Sequence, residues 1–130
     1  MILGIGVDLL HLPRLASLVA RRGSGGLAKR ILSKNEHEMF TRKFPTSECR
    51  DQVVQEQQLM FLAKRWCIKE AIYKALFPVQ KLEWKQVTVT KLKGKPVVEV
   101  DNAKAYGIKG VHVSLSHDGD YVIAQILLEG

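Results

Sequence analysis

A chain of 130 residues, 46% hydrophobic and 25% charged, is long enough for one domain with its own core and too apolar to stay disordered. A formal net charge of +7 favours an anionic partner, without choosing among nucleic acid, a membrane surface, a phosphorylated small molecule and an acidic protein. No apolar stretch approaches the ~20 residues of a membrane span, and Cys49 and Cys67 form neither a CxxC pair nor a zinc-like set with histidines, so a reduced chain without a thiolate metal site is expected.

Ile2 to Leu10 is apolar and β-branched, lacks the charged start of a secretion signal, and predicts a buried strand interrupted by Asp8. Pro13 suits a helix first turn, and Leu12, Leu15, Ala16 and Val19 continue at helical spacing until Gly23 to Gly26 end the element. Ser33 and Glu36 match a capping box, so a second helix starts near Ser33 and is closed by Pro45. A long third helix, with Ser47 as its candidate cap, runs to about Leu76, where Phe77-Pro78 stops it. Beyond it, Val87, Val89, Val97, Val98 and Val100 flank a turn at Lys93-Gly94-Lys95, and Asn102 to Tyr106 suits a helical turn. Val111 to Ser116 and Tyr121 to Leu128 predict a final hairpin across His117-Asp118-Gly119-Asp120. A strand, then helices, then antiparallel strands is the order of an α+β fold, here a single domain over 1–130 with an antiparallel sheet against a long central helix.

Three segments could carry chemistry. Asp8 is an acid in an apolar strand, which is costly unless paired or bound to a cation; the plainer reading is a cap for the next helix. On the long helix, Glu70 and Lys74 stand at i,i+4, as do Arg65 and Lys69. Surface ion pairs would explain that spacing. An acid among three cations over an apolar stretch is also what a metal–diphosphate site needs. Finally, alternation puts His112, Ser114 and Ser116 on one strand face and leaves His117 at the turn, an arrangement that a polar outer face would also produce.

Together these segments resemble the holo-acyl-carrier-protein synthase type of 4′-phosphopantetheinyl transferase. The match consists of Gly4-Ile5-Gly6-Val7-Asp8 with Arg14, then Arg65-Trp66-Cys67-Ile68-Lys69-Glu70-Ala71-Ile72-Tyr73-Lys74-Ala75, then His112 to His117 followed by an apolar strand and Glu129. Arg30-Ile31-Leu32-Ser33 with Glu36, and Gly94-Lys95-Pro96, fit as well, so the resemblance spans nearly the whole chain in order. Two departures stand out: the family usually has small residues where this chain has Trp66-Cys67-Ile68, and its bacterial members often have a Gly-Thr-Gly loop where this chain has Leu76 to Gln80 without glycine.

The resemblance implies transfer of 4′-phosphopantetheine from coenzyme A to a serine of an apo acyl carrier protein, with release of adenosine 3′,5′-bisphosphate, in support of fatty acid biosynthesis. It implies Mg²⁺ held by Asp8 and Glu70, which agrees with the preference of hard cations for carboxylates and phosphates. It assigns Glu70 and Lys74 to catalysis, and leaves Glu70 or a metal-bound water to take the serine proton. Coenzyme A contacts fall to Arg65, Lys69, Lys74, Lys95, Pro96, Ser116 and His117. Carrier docking falls to Arg14, Arg21 and Arg22, although a solvated helix end explains the last two equally well. The family also implies a homotrimer in which one subunit supplies Asp8 and Glu70 and a neighbour His117. The expected location is the cytoplasm, or the mitochondrial matrix in a eukaryote, without secretion, membrane or nucleic-acid partners. Two other readings compete. A small nucleic-acid-binding domain would use the +7 charge, yet aromatics are only 7% and no GxxG motif appears. An inactive family member would be expected to lack Asp8, Glu70 or Lys74.

Overall fold

The computed structural model describes residues 1–45 and 50–130. Strand β1 (Ile2–His11) leads into helices α1 (Leu12–Arg22), α2 (Ser24–Ile31), α3 (Lys34–Lys43) and α4 (Gln52–Leu76). A short 3₁₀ turn at Trp84–Gln86 precedes β2 (Val87–Leu92) and β3 (Lys95–Val100), and another at Ala103–Tyr106 precedes β4 (Gly110–Asp118) and β5 (Tyr121–Glu129). The architecture is α+β, as expected. β1, β5 and β4 form one antiparallel sheet in the order β1-β5-β4, and β2 and β3 form a separate hairpin packed beside β4.

α4 lies across one face of the larger sheet. Ile68, Ala71, Ile72 and Ala75 are buried with Val122, Ala124, Ile126 and Leu128 of β5. The approach of β1 to the helix is close enough to require glycine. A Cβ on Gly4 would stand 1.9 Å from the Ala75 carbonyl oxygen, and one on Gly6 would stand 1.9 Å from that of Ala71. The two glycines therefore seat the strand on the helix backbone. Gly6→Ala should lower unfolding stability by about 3 kcal/mol, because strand and helix must separate to admit the methyl group. Chemical denaturation reads this, and an unchanged midpoint would show that the seat is loose.

The chain departs from the sequence expectations in several places. Gly23 does end α1, with its amide donating to the Val19 carbonyl, but Gly25 and Gly26 sit inside α2. Burial of Leu27, Ala28 and Ile31 outweighs the roughly 1 kcal/mol helix penalty of each glycine. The capping box at Ser33 and Glu36 is present, with both reciprocal bonds formed. Ser47 lies outside the described residues, as does Cys49; α4 starts at Gln52, with the Asp51 carboxylate accepting from the amides of Val53 and Val54. β1 is not buried on both faces. It forms a sheet edge whose outer residues Ile5, Val7 and Leu9 are 59%, 50% and 61% exposed. β4 runs on to Asp118, so His117 belongs to the strand rather than the turn.

Candidate active site

Strand pleat and register decide which side chains meet. Asp8 pairs with Ala124, a buried residue on the sheet face against α4, so its carboxylate points toward that helix. Its side chain is 14% exposed and accepts a bond of 3.1 Å from the Lys74 ammonium, which also donates to the Val7 carbonyl at 3.1 Å. Beneath it, the Cys67 thiol lies 3.2 Å from the Asp8 carbonyl and 3.5 Å from that of Val122. Burial, and secondarily Asp8, push this thiol up to about 12, so it stays protonated and serves as packing.

Glu70 stands one turn before Lys74 on α4, half-buried. Burial raises its pKa first and the neighbouring Asp8 second, while Lys74 opposes the rise. Two carboxylates thus face one another at a price in repulsion that a bound cation would relieve. They line a cleft of about 380 Å³ together with Arg14, Arg21, Leu15, Leu18 and Trp66. Arg14 and Arg21 reach it because seven residues is two helical turns, which puts both on one face of α1. Among the described residues no group of three or more His, Cys, Asp or Glu is placed to hold a metal. Asp8 and Glu70 therefore fit a hard divalent cation only as a partial shell, the rest being oxygens of a ligand or water.

A larger cleft of about 650 Å³ adjoins the first, sharing Leu18 and Trp66 with it. Its floor is apolar, with Leu27, Ile31, Leu82 and Trp84, and Trp84 meets Trp66 edge-on at 4.7 Å between ring centroids. Arg22, Arg30 and Lys85 rim it, against one acid, Glu83.

The remaining expected site residues lie elsewhere. Lys95 and Pro96 border a shallow groove with Val113, Ser114 and Leu115 of β4. His117 pairs with Val122 and shares the sheet face of Asp8, whereas Ser116 pairs with Ile123 on the opposite face. β5 separates β4 from β1, so His117 is about 10 Å across the sheet from the Asp8 strand, and it does not line the Asp8 cleft.

Arg65 and Lys69, which the resemblance assigns to coenzyme A, turn inward in the single chain, 8% and 2% exposed, onto the carboxylate of the Ser33 capping box. Glu36 pairs with both. The capping-box motif signalled that Glu36 folds back on its own helix; nothing local signalled partners 29 and 33 residues away. The i,i+4 spacing placed the two cations on one helical face without saying which way that face points.

Comparison with known proteins agrees with this fold. Residues 4–126 match the family model of the 4′-phosphopantetheinyl transferase superfamily. The holo-[acyl-carrier-protein] synthase of Halalkalibacterium halodurans is 35% identical over 99% of this chain and 97% of its own length. The solved holo-[acyl-carrier-protein] synthase of Neisseria meningitidis superposes with a TM-score of 0.79 at 26% identity, covering both chains completely at 100%. That of Bacillus anthracis, solved in complex with CoA (3′,5′-ADP), gives a TM-score of 0.73 at 26% identity over 98% of this chain and 96% of its own. With the family model spanning nearly its whole length and full-length relatives of one kind, the chain belongs to the holo-[acyl-carrier-protein] synthases of the 4′-phosphopantetheinyl transferase superfamily.

Proposed function

We propose that the protein moves the 4′-phosphopantetheine arm of coenzyme A onto a serine of an apo acyl carrier protein, releasing adenosine 3′,5′-bisphosphate, in support of fatty acid biosynthesis. The observation that carries this reading is the convergence of Asp8, Glu70 and the α1 arginines on one cleft, with Lys74 bound to Asp8 at its edge.

Asp8 and Glu70 would hold Mg²⁺, whose contribution when bound is to draw charge from the diphosphate as the bond to the leaving group breaks. The Lys74 ammonium, about half exposed, is free to swing from Asp8 toward a phosphate oxygen once the carboxylate is engaged elsewhere. Glu70, whose pKa is raised by burial and Asp8, is suited to accept the serine proton if it is not itself consumed as a ligand. Lys95, Pro96, Ser116 and His117, at the β4 edge of the sheet, would contact coenzyme A.

Carrier proteins are acidic, which suits Arg14, Arg21 and Arg22. The larger apolar cleft, rimmed by cations and continuous with the metal site, offers that partner a surface of matching charge. Among the described residues no helix is long and apolar enough to cross a membrane.

The site's two groups, Asp8 with Glu70 and Lys74, and Lys95 with Ser116 and His117, stand apart within one chain. The sheet face turned away from α4 exposes Ile5, Val7, Leu9, Tyr121 and Ile123. A homotrimer that covers this face and joins the first group of one subunit to the second group of the next answers both features. Incubation with coenzyme A, Mg²⁺ and an apo carrier should raise the carrier mass by one phosphopantetheine. An unchanged carrier mass, with a known transferase active on the same preparation, would refute the activity.

A further inference from the structure

The capping box explains only part of what Glu36 does. One carboxylate oxygen accepts from the Ser33 amide at 2.9 Å and from the Lys69 ammonium. The other accepts from the Val89 amide at 2.9 Å and faces the Arg65 Nε at 3.5 Å. The side chain is 0% exposed, and a buried charge persists only where it is held this completely. A helix cap alone needs no such burial.

Lys69 is held as fully; the Arg65 Nε is buried without a hydrogen-bond partner among the described residues and meets Glu36 as an ion pair. Lys69 places its three donors on Glu36, the Ile31 carbonyl and the Trp84 carbonyl, the last two at 2.9 Å each. Arg65 donates to the carbonyls of Phe61 and Val89 at 3.3 and 3.5 Å, with its guanidinium 3.6 Å above the centroid of the Phe61 ring. Residues 65 and 69 are one turn apart, so two fixed points on one line along α4 define both its rotation and its axial position. Glu70 is the next residue, about 100° further round.

We infer that Glu36 is a positioning residue for the Asp8–Glu70 pair: by holding Lys69 and Arg65 it sets the rotation of α4 that turns Glu70 toward Asp8. From the opposite side, the Gly6 seat references β1, and with it Asp8, to Ala71 of the same helical turn. Both carboxylates are thus located from one stretch of α4. Side-chain atoms lie roughly 6 Å from a helix axis, so a 20° slip of α4 would move the Glu70 carboxylate by about 2 Å, beyond the tolerance of a coordination site.

The inference rests on Asp8 and Glu70 being the metal pair, and the experiment separates the two. Mn²⁺ is titrated against the protein with coenzyme A present, its free concentration read by electron paramagnetic resonance, and stability is measured by urea unfolding. Glu70→Gln should lose the protein-dependent Mn²⁺ binding; if it binds like wild type, the metal reading itself falls. Glu36→Gln/Arg65→Met/Lys69→Met removes all three buried charges at similar volume, so it should unfold near the wild-type midpoint. It should nevertheless bind Mn²⁺ at least about tenfold more weakly, which a role in stability alone would not produce. Wild-type Mn²⁺ affinity in this variant at wild-type stability would overturn the positioning role. Should the triple variant fail to fold, Glu36→Asp keeps the charge and shortens its reach. It then carries the same two outcomes.

Discussion

Replacing Asp8 or Glu70 by alanine should reduce phosphopantetheine transfer by about a thousandfold or more, some 4 kcal/mol of barrier, while the fold persists. Each carboxylate is one of the two acids that line the cleft among the described residues, so its loss removes half of the protein's share of the proposed cation site. Stability should not follow activity. Burial and Asp8 raise the Glu70 pKa, so its charged form is disfavoured in the folded state. A carboxyl group that binds its proton more tightly when folded makes stability fall as pH rises from the unfolded pKa through the raised one. Glu70→Ala removes that loss, and urea unfolding at neutral pH should show a midpoint at or above that of wild type. Asp8→Ala frees the half-exposed Lys74 ammonium, which water can solvate at small cost. Turnover at limiting Mg²⁺ is the measurement that decides. A variant retaining near-normal rates there would show that the metal is held elsewhere.

The second large effect concerns assembly. Ile5→Glu, on the exposed face of β1, should yield a monomer without activity, although Ile5 does not line the cleft of Asp8 and Glu70. The isoleucine is 59% exposed in the single chain, so a charge there costs the isolated fold little and an apolar interface a great deal. Complementation gives the sharper result. Glu70→Ala and His117→Ala proteins should each be inactive. Mixed after subunit exchange at equal ratio, they should recover about a quarter of wild-type activity. In a ring of heterologous contacts, random assortment joins an intact Glu70 to an intact His117 at one interface in four. Sedimentation establishes that mixed trimers form. Mixed trimers that stay inactive, or an active wild-type monomer, would remove the shared site.

By itself the sequence determined the parts of the protein whose physics is local. Apolar, β-branched runs marked β1, β4 and β5; the pairing of Ser33 with Glu36 marked the start of α3; and Phe77-Pro78 marked the end of α4. Asp8 stood out because a charge is expensive in an apolar strand, and Glu70 with Lys74 because i,i+4 spacing shows that two side chains share a helix face. The tertiary structure alone decided which faces are buried. Arg65 and Lys69 have the same spacing as Glu70 and Lys74, yet one pair turns inward to Glu36 and the other borders the Asp8 cleft. A periodicity is unchanged by rotation about the helix axis, so it cannot distinguish the two. α2 forms despite two glycines because Leu27 and Ile31 have a core to enter. His117 and Ser116 fall on opposite sheet faces once β5 fixes the register. In each case the deciding partner is distant in the chain, and the free energy that selects it comes from burial and pairing that exist only after the elements have packed.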